Sequence, residues 1–440
     1  MFSYKTYKSI GKALISKKSP YYVQFYINGT CNLKCRQCNI VETNSRVDAL
    51  SLEEIEVAAW NLEKIGGAIV LLTGGEPFMR KDLPEIVKIF TSKGLNVRLQ
   101  TAGTHYATDD MLWRCYENGA RDINVSVDSL SFSTSDFINS VPGSGKNAID
   151  AIERISNIFR NESAILSFGT VLSQFNYLEI PAILDFAKRI GWFVSLVPVH
   201  VAKLDAPRGF RSFDDMFSFR PNQYDYLDDL AKKLVRMKRD GYPLFDSEKF
   251  IESSMTFLKG YPPTWRHEGV CDSPNLYFAV RPNGDFTTCC DYSLGDAPSL
   301  KNKDFYKDYN SGKVANRPDV NKIVKNCEGC HYGSYPEVTL SVRDYKAFIE
   351  RTFLVFKSGR NLLRKAQVKS DFVNELESLK REYSDVYPTD QWLTSEIVET
   401  LLRWADPKER RSLIKEDTET RKKQGRVRSK GEDYIAYPNS

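Results

Sequence analysis

No apolar run in this chain reaches the ~18–20 residues that a helix needs to cross a bilayer. Its first twenty residues carry lysines but lack the continuous apolar core of a secretory signal, and they read as a basic amphipathic lead-in helix. Charge of one sign is missing too. With 62 basic and 57 acidic side chains, the net +5 over 440 residues argues against a dedicated nucleic-acid binder. These absences point to a cytoplasmic protein with no membrane partner. Nine cysteines in such a setting read as metal or catalytic sites of a reducing compartment rather than as disulfides.

Three of them stand in the run Cys31-Asn32-Leu33-Lys34-Cys35-Arg36-Gln37-Cys38. No fourth cysteine is near, and the next histidine, His105, is far along the chain. Iron–sulfur clusters are normally held by four thiolates, so a cage of three leaves one iron open for a substrate or cofactor. A structural zinc site would want its fourth ligand. The preceding residues 21–27 are apolar and β-prone, so the cysteines follow a strand.

At 440 residues and 41% apolar, the chain can bury a large core and makes more than one domain. From residue 21 to about 201, short β-prone runs alternate with helical stretches. Further strands are expected at 68–72, 96–100, 122–127, 164–171 and 194–197, and helices at 52–65, 83–93, 108–118, 148–160 and 180–190. Gly66, Gly94, Gly119 and Gly191 fall where those helices should stop. Repeated strand–helix units imply parallel strands with right-handed crossovers. Periodicity alone fits six units of a partial barrel and a doubly wound sheet about equally.

Polar motifs sit at the strand ends. Gly74-Gly75-Glu76 follows the second strand; paired glycines let backbone approach a ligand, and Glu76 brings a carboxylate, although a turn with a solvated glutamate gives the same string. On the fourth strand Ser126 and Asp128 share one face, to serve a ligand or to cap the next loop. Residues 100–104 and 169–173 are ligand contacts or plain strand-end turns. His200 either faces a substrate or packs. Cys115 lies in a helix and reads as core.

After a helical, aromatic insertion, Cys271 precedes a β-hairpin around Asn283-Gly284 that ends at Cys289, and Cys327-Glu328-Gly329-Cys330 forms a compact thiolate pair. The hairpin brings Cys271 and Cys289 together, and two such pairs complete a four-thiolate site, for zinc or for iron–sulfur. Cys290 is a packed thiol, an alternative ligand or a hydrogen-atom donor. Beyond residue 335 helices are expected at 342–367, 371–381 and 395–404. The charge-dense stretch 408–430 reads as a solvated, partly disordered terminus.

Together, CxxxCxxC after the first strand and Gly-Gly-Glu after the second resemble the radical S-adenosylmethionine (radical SAM) superfamily. The resemblance implies a partial (β/α)6 TIM-type barrel. It implies a 4Fe-4S cluster on Cys31, Cys35 and Cys38, whose open iron chelates S-adenosylmethionine and cleaves it to a 5′-deoxyadenosyl radical. Glu76, with Gly74 and Gly75, would hold the methionine amino group, and Ser126 and Asp128 the ribose. One departure is Gln37, where relatives carry an aromatic residue, and another is Ala102 in place of the asparagine of Thr-Asn-Gly. The distal cysteines resemble the SPASM/twitch extension, in its shorter form with one auxiliary 4Fe-4S cluster on Cys271, Cys289, Cys327 and Cys330.

The expected domains are a lead-in (1–20), the radical SAM core (21–201), an insertion (202–265), the auxiliary cluster domain (266–335) and a helical, charged extension (336–440). Peptide or protein oxidation or modification is the leading function. The alternatives are dehydrogenation or epimerisation of a sugar-like or aminocyclitol metabolite, RNA modification, and a non-catalytic metal scaffold. An electron donor such as flavodoxin or ferredoxin is the implied partner.

Overall fold

The computed structural model describes residues 4–38, 40, 44, 47–160, 164–200, 215–290, 292, 294–327, 329–332, 334–353, 372–383, 399, 403–404 and 406–423. Strands β1 (Tyr22–Tyr26), β2 (Ile69–Thr73), β3 (Asn96–Thr101), β4 (Asp122–Ser126), β5 (Ile165–Leu172) and β6 (Phe193–Pro198) lie parallel, every end within one residue of its expected place. Their order in the sheet is their order in the chain. A doubly wound sheet would reverse direction at a switch point. None is present, so the wall is that of an open, partial barrel.

Helix α1 (Tyr4–Ser16) leads in; α2 (Leu52–Ile65), α3 (Leu83–Ser92), α4 (Asp109–Glu117), α5 (Phe132–Asn139), α6 (Ser144–Ile158) and α7 (Ile180–Ile190) connect the strands. Local chemistry sets their ends. Ser51 Oγ accepts the Glu54 N–H while Glu54 answers the Ser51 N–H, a capping box, and Gly66 at φ 89° stops α2. Helix α5 went unforeseen because its serines and threonines hide the apolar period.

Alternate strand residues divide the sheet into two faces. Val23, Phe25, Leu72, Leu99, Val125 and Phe168 enter one apolar core with the helices. The opposite, inner face carries polar groups that satisfy one another. Arg98 lies 3.6 Å from Asp122 and donates to Ser167 Oγ, which also takes a hydrogen bond from Asn124.

The insertion supplies α8 (Tyr224–Arg239) and α9 (Glu248–Leu258). Between them Leu244 bridges β6 at Val194 and covers part of that edge. Strand β7 (Tyr277–Val280) then adds to β1 in parallel, and β8 (Phe286–Thr287) returns antiparallel, so the hairpin extends the same sheet. After α10 (Phe305–Asn310) and α11 (Pro318–Asn326), α12 (Ser334–Arg343) is buried along most of its length against the inner face. Gln24 of β1 holds it there. Its amide donates to Tyr26 and Tyr332 and accepts from Tyr335, each at 3.0 Å.

One expectation needs correction. The single helix expected at 342–367 breaks at Asp344, whose carboxylate accepts the N–H groups of Lys346 and Ala347 and starts α13 (Tyr345–Phe353). Helix α14 (Phe372–Glu382) falls as expected, and most of 395–404 lies outside the described residues. The charged stretch is helical through 423 as α15 (Pro407–Lys423), opened by Pro407 and by Asp406 accepting the Lys408 N–H at 2.7 Å. Among the described residues no helix is long and apolar enough to cross a membrane.

Asp246 takes the place of a strand partner beside β6, accepting the Leu196 N–H at 2.6 Å and the Ser195 hydroxyl at 3.0 Å. Burial, reinforced by the Glu337 carboxylate, lifts its pKa from 3.8 to about 7. The folded state therefore holds this proton more tightly than the unfolded chain does. Its contribution to stability is complete below about pH 4 and is lost as pH rises toward 7. Replacing Asp246 with Asn should raise the thermal midpoint relative to wild type more at pH 8 than at pH 5; an equal offset at both would show that this carboxylate carries no such charge penalty.

Candidate active site

The ends of β1 and β2 are joined through backbone. Asn28, two residues past β1, accepts the Gly75 N–H at 3.1 Å and donates to the Glu76 carbonyl at 2.9 Å. The Glu76 N–H in turn donates to the Thr30 carbonyl at 2.8 Å, one residue before Cys31. A Cβ on Gly75 would stand 1.9 Å from that carbonyl oxygen, and one on Gly74 2.4 Å from Asn28 Oδ1. The glycines thus admit the cysteine loop itself, where the sequence had suggested close approach of a ligand.

Glu76 is buried at this junction. Its carboxylate accepts the Phe78 N–H, the Thr101 hydroxyl and the Ala102 N–H, at 2.9 to 3.1 Å. Burial raises its pKa, and these three donors oppose the rise. A carboxylate has about four lone-pair sites, so one is left for a further donor. Thr101 and Ala102, undecided from sequence, hold this carboxylate.

Within the loop, Cys35 Sγ donates to Asn139 Oδ1 at 3.3 Å, and the N–H groups of Lys34 and Arg36 donate to the Asn139 and Ile138 carbonyls at the end of α5. The Arg36 guanidinium lies 4.4 Å over the Phe137 ring. Gln37 donates to Asp128 at 2.6 Å, and Asp128 also accepts the Val171 N–H at 2.7 Å. Burial pushes the Asp128 pKa up to about 6 against these two bonds. Asp128 therefore stands against the cysteine loop, and Ser126 opposite Gly169 on the same face, two residues before it. Residues 169–173 back β4: Thr170 donates to the Val127 carbonyl.

The distal cysteines also lie near one another. Cys271, Cys289, Cys290 and Cys330 border one cluster of Tyr22, Tyr277, Tyr332 and Tyr335. Cys327 stands close enough to Cys271 to raise its pKa, together with Cys289; burial is the main cause and takes the Cys271 thiol to about 12. Gly329, at φ 95°, lets its own N–H turn onto Cys327 Sγ at 3.3 Å. Trp265 and Arg266 pin the knuckle by donating to the Cys330 and Cys327 carbonyls, both at 2.7 Å.

The two cysteine sets approach each other at Cys290. It packs with Cys38 around Tyr26, Ile40 and Ala279, and it also borders the tyrosine cluster of the distal set. Tyr335 stacks on Tyr277 at 4.5 Å, and the Tyr277 hydroxyl lies 3.1 Å from Cys271 Sγ. His200 belongs to the packing: it is buried, accepts the His331 N–H at 3.0 Å and lies against Phe257. Cys115 is buried core. Asn28, Asn139, Gln24 and the tyrosines were missed from sequence, since isolated polar or aromatic residues carry no spacing signal.

None of the nine cysteines is in a disulfide. Among the described residues no three His, Cys, Asp or Glu side chains converge as around a single metal ion, so the fit of a cofactor rests on donor chemistry. Burial holds Cys31 up at about 11, a thiol that becomes a ligand only beside a strong cation. All-sulfur donor sets of three and four suit iron–sulfur clusters.

An open, partial barrel wall with a three-cysteine loop at its strand ends defines a barrel-type α/β protein with a cysteine-lined mouth. Residues 25–187 match the model of the Radical SAM superfamily, and the chain carries a domain of that superfamily, whose cofactors are S-adenosylmethionine and a 4Fe-4S cluster. It is 29% identical over 174 residues to an AdoMet-dependent heme synthase of Methanosarcina barkeri, covering 39% of this chain and 48% of the relative. It is 30% identical over 176 residues to a GTP 3′,8-cyclase of Vibrio parahaemolyticus, covering 38% and 51%. The chain thus spans about half the length of these curated relatives. The fold is similar to that of SuiB from Streptococcus suis, with a TM-score of 0.52 at 14% identity over 73% of this chain and 71% of that one.

Changing Gly75 to Ala should cost about 1–3 kcal/mol or more in urea unfolding, as an overpacked backbone contact does. It should also speed alkylation of Cys31 in the metal-free protein. Unchanged stability and alkylation would mean that Thr30 is not held against Gly75.

Proposed function

We propose that the chain is a radical SAM enzyme that takes a hydrogen atom from an unactivated substrate carbon, leading to oxidation or post-translational modification of a peptide or protein. The observation that carries this reading is the three-cysteine loop fastened to Gly74, Gly75 and Glu76 while reaching the second cysteine set through Cys290 and the tyrosines. Cys31, Cys35 and Cys38 hold the first cluster. Glu76 offers its remaining lone pair to the cofactor's ammonium, and Ser126 and Asp128 line the ribose side. Cys271, Cys289, Cys327 and Cys330 hold an auxiliary 4Fe-4S cluster.

When bound, these groups supply a 5′-deoxyadenosyl radical and an internal electron acceptor. The protein's part is placement and exclusion of water. Buried Tyr26, Tyr332 and Tyr335 keep the space between the two cysteine sets dry, and Gln24 fixes their hydroxyls. A flavodoxin or ferredoxin is the fitting reductant. SuiB is described in complex with the precursor peptide SuiA, in keeping with a peptide substrate.

The position of Cys290 favours a second reading, epimerisation or dehydrogenation of a sugar-like or aminocyclitol metabolite. As an epimerase, Cys290 would give its hydrogen atom to the substrate radical; the thiyl left behind needs one electron and one proton from the reductant to return. In D2O, product deuterium that vanishes in Cys290→Ser would establish the donor, and an oxidised product unchanged in that variant would exclude it.

The primary test counts iron and 5′-deoxyadenosine in anaerobically reconstituted protein. Wild type should hold about eight irons, and the Cys31→Ala/Cys35→Ala/Cys38→Ala variant about four, with no deoxyadenosine. About four irons in wild type and none in the variant, with zinc in both, would make the distal site structural and remove the internal acceptor.

A further inference from the structure

We infer that the C-terminal extension is part of the first cysteine site: Trp404 holds Arg36, the residue after Cys35, against Phe137 and so fixes the loop that presents the three thiols. This rests on reading that loop as the cluster site.

Arg36 is the only loop residue between Cys35 and Cys38 other than Gln37, and each of the two has its own anchor. Gln37 is bonded to Asp128. The Arg36 guanidinium stands 4.4 Å over Phe137 and 5.9 Å from the ring centre of Trp404. Phe137 and Trp404 meet edge-on at 5.7 Å. Trp404 is fully buried and Arg36 half-buried, so the two rings shield one side of the cation from water, which strengthens such a contact.

Other parts of the same extension also pack on the barrel helices. Glu375 and Glu382 of α14 pair with Arg189 of α7, and Lys380 lies 4.5 Å over Phe132 of α5. Leu413 of α15 enters the main core. The extension thus reaches α5 at Phe132 and at Phe137, and α5 is the helix whose last residues accept the loop's backbone N–H groups. Removing the Trp404 ring leaves α5 in place but frees one side of Arg36. The loop can then swing on its remaining bonds and present its sulfurs in more than one arrangement.

The test uses the full chain, reconstituted anaerobically, as wild type, Trp404→Ala, Trp404→Phe and Leu413→Ala. The last removes comparable apolar contact from the same extension without touching the loop. Iron release from the first site to a ferrous chelator is followed with the EPR spectrum of the reduced protein. Trp404→Ala should release that iron about tenfold faster, the ratio that a partly desolvated cation–π contact carries, and broaden the signal. Trp404→Phe should restore both, and Leu413→Ala should leave both near wild type at a similar loss of thermal midpoint.

Linkage adds a second readout: iron loading should slow tryptic cleavage after Arg403 in wild type. Equal release by Trp404→Ala and Leu413→Ala, or cleavage indifferent to loading, would overturn the inference. Wild type that binds no first-site iron would overturn the cluster reading and the inference with it, a failure visible without any variant.

Discussion

The approach of the Thr30 carbonyl to Gly75 is the contact on which the mouth of this barrel depends. It allows a carbonyl to lie where a side chain would otherwise stand, and Asn28 closes the gap with one donor and one acceptor. From there the connections spread strand by strand. Glu76 carries the junction to β3 through Thr101 and Ala102; Gln37 carries it to β4 through Asp128, and Asp128 to β5 through the Val171 N–H. One short loop is thus tied to five strand ends. Its three cysteines are presented by the sheet as a whole, so their geometry inherits the rigidity of the barrel wall.

Burial shapes the chemistry of that mouth. Glu76 and Asp128 are pushed toward their neutral forms and Cys31 and Cys271 toward protonated thiols, each by desolvation. A bound metal reverses this balance at the sulfurs, because a nearby cation stabilises the thiolate that burial disfavours. The same dryness strengthens every hydrogen bond holding the loop. Helix α12 completes the enclosure, with its Tyr335 and the preceding Tyr332 meeting Gln24 on the inner face.

Much of this was legible in the chain. Short β-prone runs and glycine stops placed six strands and most helices to within a few residues, and the cysteine spacings pointed to two candidate sites. Periodicity alone left the arrangement of the strands open, since a barrel and a doubly wound sheet share it; the motif resemblance implied the barrel, and the pairing order bears it out. Gly74 and Gly75 announced a close approach, but of a ligand, where the structure brings in the Thr30 carbonyl and Asn28. Gln37 looked like a loss of an aromatic contact, and its partner Asp128 is 91 residues away. The helix break at Asp344 has no glycine or proline to mark it, and a capping carboxylate inside a charged stretch resembles any surface aspartate.

The parallel pairing of β7 with β1 reaches beyond packing. Parallel neighbours cannot be joined by a tight turn; here the connection runs through the whole barrel and the insertion before it returns. The hairpin flanked by Cys271 and Cys289 is therefore completed late, on a template that is the first strand of the fold. Contacts of such long sequence separation form slowly and only after β1 is in place. The second cysteine site is consequently no portable module: cut from the barrel, β7 would lose the edge that sets its register, and with it the frame that draws Cys271 and Cys289 together.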